Sequence, residues 1–149
     1  QDNPLLMYKD AYHIGQNLDY REFNKISDSS VDFYWATCVY FVKCKQNKIF
    51  FNLLQHIEEQ WSHYRMLYQI TQSTYRNDFA FSIATHIMNG HSKGDFARQM
   101  PGKLYYTIDK DTLHKINDDE LTFIIDENPI KTKAMTVHAM NKYSLEELL

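Results

Sequence analysis

Between residues 33 and 42 the chain reads Phe33-Tyr34-Trp35-Ala36-Thr37-Cys38-Val39-Tyr40-Phe41-Val42. Apolar or aromatic side chains occupy both alternating sets, so a strand here has something to bury on each face. That pattern predicts a strand set inside a sheet. The period then changes. Phe50, Leu53, Leu54, Ile57, Trp61, Tyr64 and Tyr68 recur at spacings of three and four, opposite Gln55, Glu58, Glu59 and Gln60. The spacing predicts one long amphipathic helix from about Lys45 to Tyr68.

A second, shorter helix is expected from Asn77 to Met88. It has a polar start at Arg76-Asn77-Asp78, an apolar body and an Asn89-Gly90 stop. After Pro101-Gly102 the pattern becomes extended again. Leu104–Ile108, Leu121–Ile125 and Ala134–Ala139 are the expected strands, separated by charged turns. Residues 15–30 are polar, end in Ser27-Asp28-Ser29-Ser30, and read as loop. Strand, two helices and then strands make a mixed α/β (α+β) chain. At 149 residues it is expected to be a single domain.

Composition narrows the function. Four glycines and no glycine-rich loop leave no cradle for phosphates, and no Gly-x-Ser-x-Gly or Cys-x-x-Cys occurs. A net charge of −3 with few arginines argues against nucleic acid as a partner, because such binders need a basic surface to displace counterions. No apolar run reaches the length of a membrane span. Two cysteines, Cys38 and Cys44, are too few for a disulfide scaffold, and a reduced, cytoplasmic protein is expected.

Among possible sites, Tyr75-Arg76-Asn77-Asp78 stands out. Three hydrogen-bonding residues open a helix with an apolar body, and a carboxylate there suits binding a sugar hydroxyl or accepting its proton. The plainer reading makes Asn77 and Asp78 ordinary helix-start residues with Arg76 as a surface partner. Asp109-Lys110-Asp111 has the spacing of a cation-and-diphosphate pair, but charged turns produce it often. His138 lies in an apolar strand, where a lone histidine is more often a buried core residue than a ligand. The aromatics Tyr34, Trp35, Tyr40, Tyr64, Tyr68 and Tyr75 are core or the walls of a carbohydrate groove.

Three segments taken in order resemble one family: Tyr34-Trp35-Ala36-Thr37-Cys38-Val39-Tyr40-Phe41, Tyr75-Arg76-Asn77-Asp78-Phe79-Ala80-Phe81-Ser82-Ile83-Ala84, and Val137-His138-Ala139-Met140-Asn141-Lys142. Across about residues 30 to 145 the chain is similar to the C-terminal half of GT-A-type glycosyltransferases of marine phages and bacteria. The resemblance implies a partial GT-A-like sheet and sugar transfer from a nucleotide-diphosphosugar donor to an unknown acceptor. A divalent cation (Mn²⁺ or Mg²⁺) would serve the intact enzyme. It implies that Asp78 is the catalytic residue, contacting the transferred sugar or activating the acceptor, that Trp35, Thr37, Arg76, Asn77 and Lys142 bind substrate, and that His138 touches the metal.

The family's nucleotide-binding half and its Asp-x-Asp motif precede these segments, and residues 1 to 30 do not supply them. With Gln1 at the start, the expectation is a truncated portion of a larger domain, inactive alone and prone to self-association. The other expectation is a small non-catalytic α/β binding module that recognises protein or glycan.

Overall fold

A computed structural model describes residues 5–14, 21–23, 25–26, 31–133 and 136–149. The chain is a mixed α+β protein. It divides into two compact units, one of residues 1–9 and 23–100, the other of residues 10–22 and 101–149.

The first unit holds β1 (Leu5–Tyr8), β4 (Trp35–Phe41), β5 (Arg98–Gln99) and three helices, α1 (Lys45–Glu59), α2 (Trp61–Leu67) and α3 (Asn77–Met88). Its sheet has the order β4-β1-β5, with β4 antiparallel and β5 parallel to β1. Its core joins Leu5 and Met7 of β1 to Phe33, Phe50, Ile57, Ala80 and Ile83, all buried. Aromatic edges knit this core. Phe50 lies 5.5 Å from Phe51, 5.7 Å from Phe81 and 5.4 Å from Phe96, within the range where ring quadrupoles attract.

The second unit contains β2 (Asp10–His13), β6 (Leu104–Tyr106), β7 (Thr112–Ile116), β8 (Leu121–Ile125), β9 (Asn128–Thr132), β10 (Thr136–His138) and the short α4 (Lys142–Glu146). β3 (Arg21–Phe23) follows β2 and completes the order β10-β6-β2-β3. Both β2 and β10 run parallel to β6. β7, β8 and β9 form a separate antiparallel meander whose inner face buries Leu113, Phe123 and Ile125 beside Ile14.

Several expectations are corrected. The helix expected over 45–68 is broken at Gln60, whose backbone sits at φ −110° and ψ 35°. No proline or glycine is responsible. The break lets Trp61 stack on Phe79 at 6.1 Å and meet the edge of Tyr75 at 5.5 Å. The strand at 33–42 is an outer strand of its sheet, not an interior one, and Tyr40, Phe41 and Val42 are exposed. Alternation reports two apolar faces but not whether a neighbour covers both edges. Part of the polar stretch expected as loop is strand: β3 needs only backbone hydrogen bonds, and Lys25 forms an isolated bridge with Asp32. Ser27 to Ser30 lie outside the described residues, as do Ala134 and Met135 of the last expected strand.

The β8–β9 turn generates a prediction. Ile125 pairs with Asn128, so Asp126 and Glu127 form a two-residue turn, and both have positive φ (47° and 67°). This is the conformation for which hairpins favour Asn-Gly, since a Cβ is crowded there by roughly 1–2 kcal/mol per residue. Glu127→Gly should therefore raise stability by about 0.5–1 kcal/mol, read as a higher urea midpoint at unchanged slope.

Candidate functional site

The resemblance-bearing segments of the first unit meet at the start of α3. Arg76 is the N-cap residue in extended conformation, and Asp78 is the acid of the first turn. Asp78 Oδ1 accepts a hydrogen bond from the backbone N–H of Ala36 at 2.7 Å. Its Oδ2 lies 2.7 Å from the Arg76 guanidinium. One turn on, the Ser82 hydroxyl accepts from the N–H of Tyr34 at 2.8 Å and donates to the Asp78 carbonyl at 2.7 Å.

The match of helix and strand here is geometric. Residues four apart on a helix are about 6 Å apart along its axis, and residues two apart on a strand about 6.6 Å. Asp78 and Ser82 can therefore meet the alternate amides of Ala36 and Tyr34 together. The two side chains occupy amides that β1 does not need, so a helix stands in for a further strand.

Asp78 thus ties the helix start to β4 with both oxygens engaged. Its side chain nevertheless keeps 17% exposure, and Arg76 keeps 42%. Asn77 and Thr37 are exposed beside it, and Arg76 also lies over the Phe79 ring at 5.1 Å. Trp35 is half-buried, with its ring against Phe33 at 5.1 Å and its indole N–H buried without a hydrogen-bond partner among the described residues. Five of the seven expected site residues, Trp35, Thr37, Arg76, Asn77 and Asp78, therefore lie on two joined elements.

His138 and Lys142 belong to the second unit. His138 ends the outer strand β10 and is exposed, contrary to the expectation of a buried core residue, because side chains alternate between the two faces of a strand and its own faces water. Lys142 is exposed at the start of α4. Among the described residues, no three His, Cys, Asp or Glu side chains are grouped to hold a metal ion. These residues do not fit a cation centre; His138 offers one donor.

Asp109-Lys110-Asp111 behaves as a turn. Asp111 is buried and accepts from the N–H of Ile108 at 3.0 Å, while Lys110 pairs with Asp126. Sequence reasoning overlooked the partner of Asp111, His13 of β2, whose Nε2 lies 3.2 Å from Asp111 Oδ2. Ninety-eight residues separate the two, so no local spacing could reveal the pair.

Tyr34 and Ser82 also line a polar cavity of about 90 Å³, together with Asp32, Thr85, His86 and Lys93 among others. Burial raises the Tyr34 phenol above its ordinary value. Asp32 is held below the usual carboxylate range: burial works against this, and the hydrogen bond from Lys25 with the charges of Lys9 and Lys25 outweighs it. His86 Nδ1 lies 2.8 Å from the Tyr68 hydroxyl. Burial, followed by the neighbouring His91, lowers the His86 pKa from 6.5. Among the described residues, no helix is long and apolar enough to cross a membrane.

Two predictions follow from this geometry. Asp78→Ala leaves the Ala36 amide without its acceptor and should destabilise by about 1–3 kcal/mol in chemical unfolding. Asp78→Asn keeps an acceptor for Ala36 and should lose less, while adding Ser82→Ala should give a non-additive double-mutant cycle. For His86 the folded form favours the neutral ring, so the unfolded chain binds the proton more readily. Its contribution is full above pH 6.5 and is lost as pH falls through the lower folded value. Stability of His86→Gln should accordingly depend less on pH below about 6.5 than that of the parent, as followed by urea midpoints. No family model matches the chain, and neither a curated protein nor a solved structure matches it.

Proposed function

We propose that this chain is the acceptor-side portion of a GT-A-like glycosyltransferase that uses a nucleotide-diphosphosugar. One observation carries the reading. The 2.7 Å bond from Ala36 to Asp78 joins residues 42 apart, each within a segment that resembles this family. Family resemblance in separated segments has more weight when the segments build one local surface.

On this reading Asp78 positions a sugar hydroxyl. Ala36 and Arg76 fix the plane of its carboxylate, and each oxygen retains a further lone pair for a hydroxyl donor. Arg76 and Asn77 flank that hydroxyl at the helix start, while Trp35 and Thr37 contribute from β4. Independently of that surface, the resemblance gives His138 and Lys142 of the second unit contacts to the donor's diphosphate. A divalent cation belongs to the reading only with ligands besides His138, and no chemical step is assigned to it.

The test is titration calorimetry with UDP-, GDP- and CDP-sugars and Mn²⁺. It compares the 149-residue chain with a form extended upstream in its reading frame. Metal-dependent binding by the extended form is expected, weakened about tenfold or more by His138→Ala. Asp78→Asn should preserve donor binding and reduce transfer about a hundredfold. Absence of binding by both forms, with a stable monomeric short chain, would overturn the proposal in favour of a non-catalytic binding module.

A further inference from the structure

Where β4 hands over to α1, four large apolar side chains stand in water. Tyr40, Phe41, Val42 and Ile49 range from 45% exposed (Val42) to 56% (Tyr40). Beside them lies a groove of about 530 Å³, whose lining includes Phe41, Phe51, Cys44, Lys43, Lys45 and Lys48. Phe41 and Phe51 form one wall, with ring centroids 4.7 Å apart. The lining is mostly carbon, and the charges around it share one sign.

That charge distribution is uncompensated. The three lysines make no ion pair with another described residue. The first turn of α1 contains no acid, and its N-cap residue, Cys44, supplies no side-chain hydrogen bond. Lysines at this end of a helix are opposed by the helix dipole, and they oppose one another. An arriving anion relieves both costs. The apolar lining adds a second requirement, that the anion bring a hydrophobic group with it.

We propose that this groove docks an acidic peptide segment of a partner protein. A bulky apolar side chain enters against Phe41 and Phe51, and flanking Asp or Glu side chains meet Lys43, Lys45 and Lys48. Charge complementarity selects this occupant. A second copy in a two-fold contact would present the same lysines to the same lysines, which repel. The groove is a recess where β4 hands over to α1, suited to a side chain entering it. This inference does not depend on the transferase reading.

The test is fluorescence anisotropy with a labelled hexapeptide in which Phe-Leu is flanked on each side by two acidic residues, against the same peptide with Gln for each acid. The acidic peptide should bind about tenfold or more tightly than the Gln peptide, and added salt should narrow that margin. Lys43→Glu with Lys48→Glu should remove the preference, while Phe41→Ala should weaken both peptides. Circular dichroism of the lysine variant should be unchanged, since both side chains are exposed. Equal binding of the two peptides, or no binding at about 1 mM, overturns the proposal. Phosphatidylserine vesicles captured in place of the peptide, or a dimer in sedimentation that Phe41→Ala dissolves, would likewise replace it with a lipid surface or a self-contact.

Discussion

The bond between the Asp78 carboxylate and the Ala36 amide fixes how the first unit is assembled. β4 is an outer strand, and an outer strand carries backbone donors that must find acceptors. Asp78 and Ser82 supply two of them from a helix that is itself anchored by buried Ala80, Ile83 and Ala84. α3, held against the strand, presents Phe79 to Trp61, the first residue after the chain bends at Gln60. The break between α1 and α2 is thus continuous with a polar tie on a neighbouring element. Burial alone would bring α3 to the sheet, whereas the two amides fix its position along the strand.

The same tie bears on how an acid of this kind should be read. A carboxylate at a helix start, beside an arginine, can be a structural fastener or a chemical group, and here the geometry permits both. Its two engaged oxygens give it a fixed plane, which is what a hydroxyl-positioning group requires. Its engagement with the Ala36 amide also means that loss of activity in an alanine variant would mix positioning with folding. The asparagine variant separates the two because it retains the strand contact.

Much of the secondary structure was legible, for identifiable reasons. α3 runs from Asn77 to Met88 and β8 from Leu121 to Ile125, as their capping and turn residues indicate. β1 and β2 escaped notice because each is only four residues long and a single residue, Lys9, separates them. The outer position of β4 was not legible either, since edge and interior strands can share one apolar pattern. Distant pairings were invisible altogether: nothing near His13 announces Asp111, and nothing near Asp78 announces Ala36. Local residue patterns encode local conformation, and the site depends on partners brought from far along the chain.

The chain passes between its two units at Lys9, near Phe23 and again at Met100, and this bears on the order of assembly during synthesis. Ala11 of β2 pairs with Leu104 of β6, and Leu6 of β1 with Arg98 of β5. β1 meets β4 and β2 meets β3 early, but both sheets are completed only by partners made some ninety residues later, roughly 5–20 s at ordinary elongation rates. Closing such long loops before any reward is gained slows folding. During that interval Leu5 and Met7, later wholly buried, have only part of their native cover. The edge of β1 that β5 later covers, and the edge of β2 that β6 later covers, stay unpaired until then.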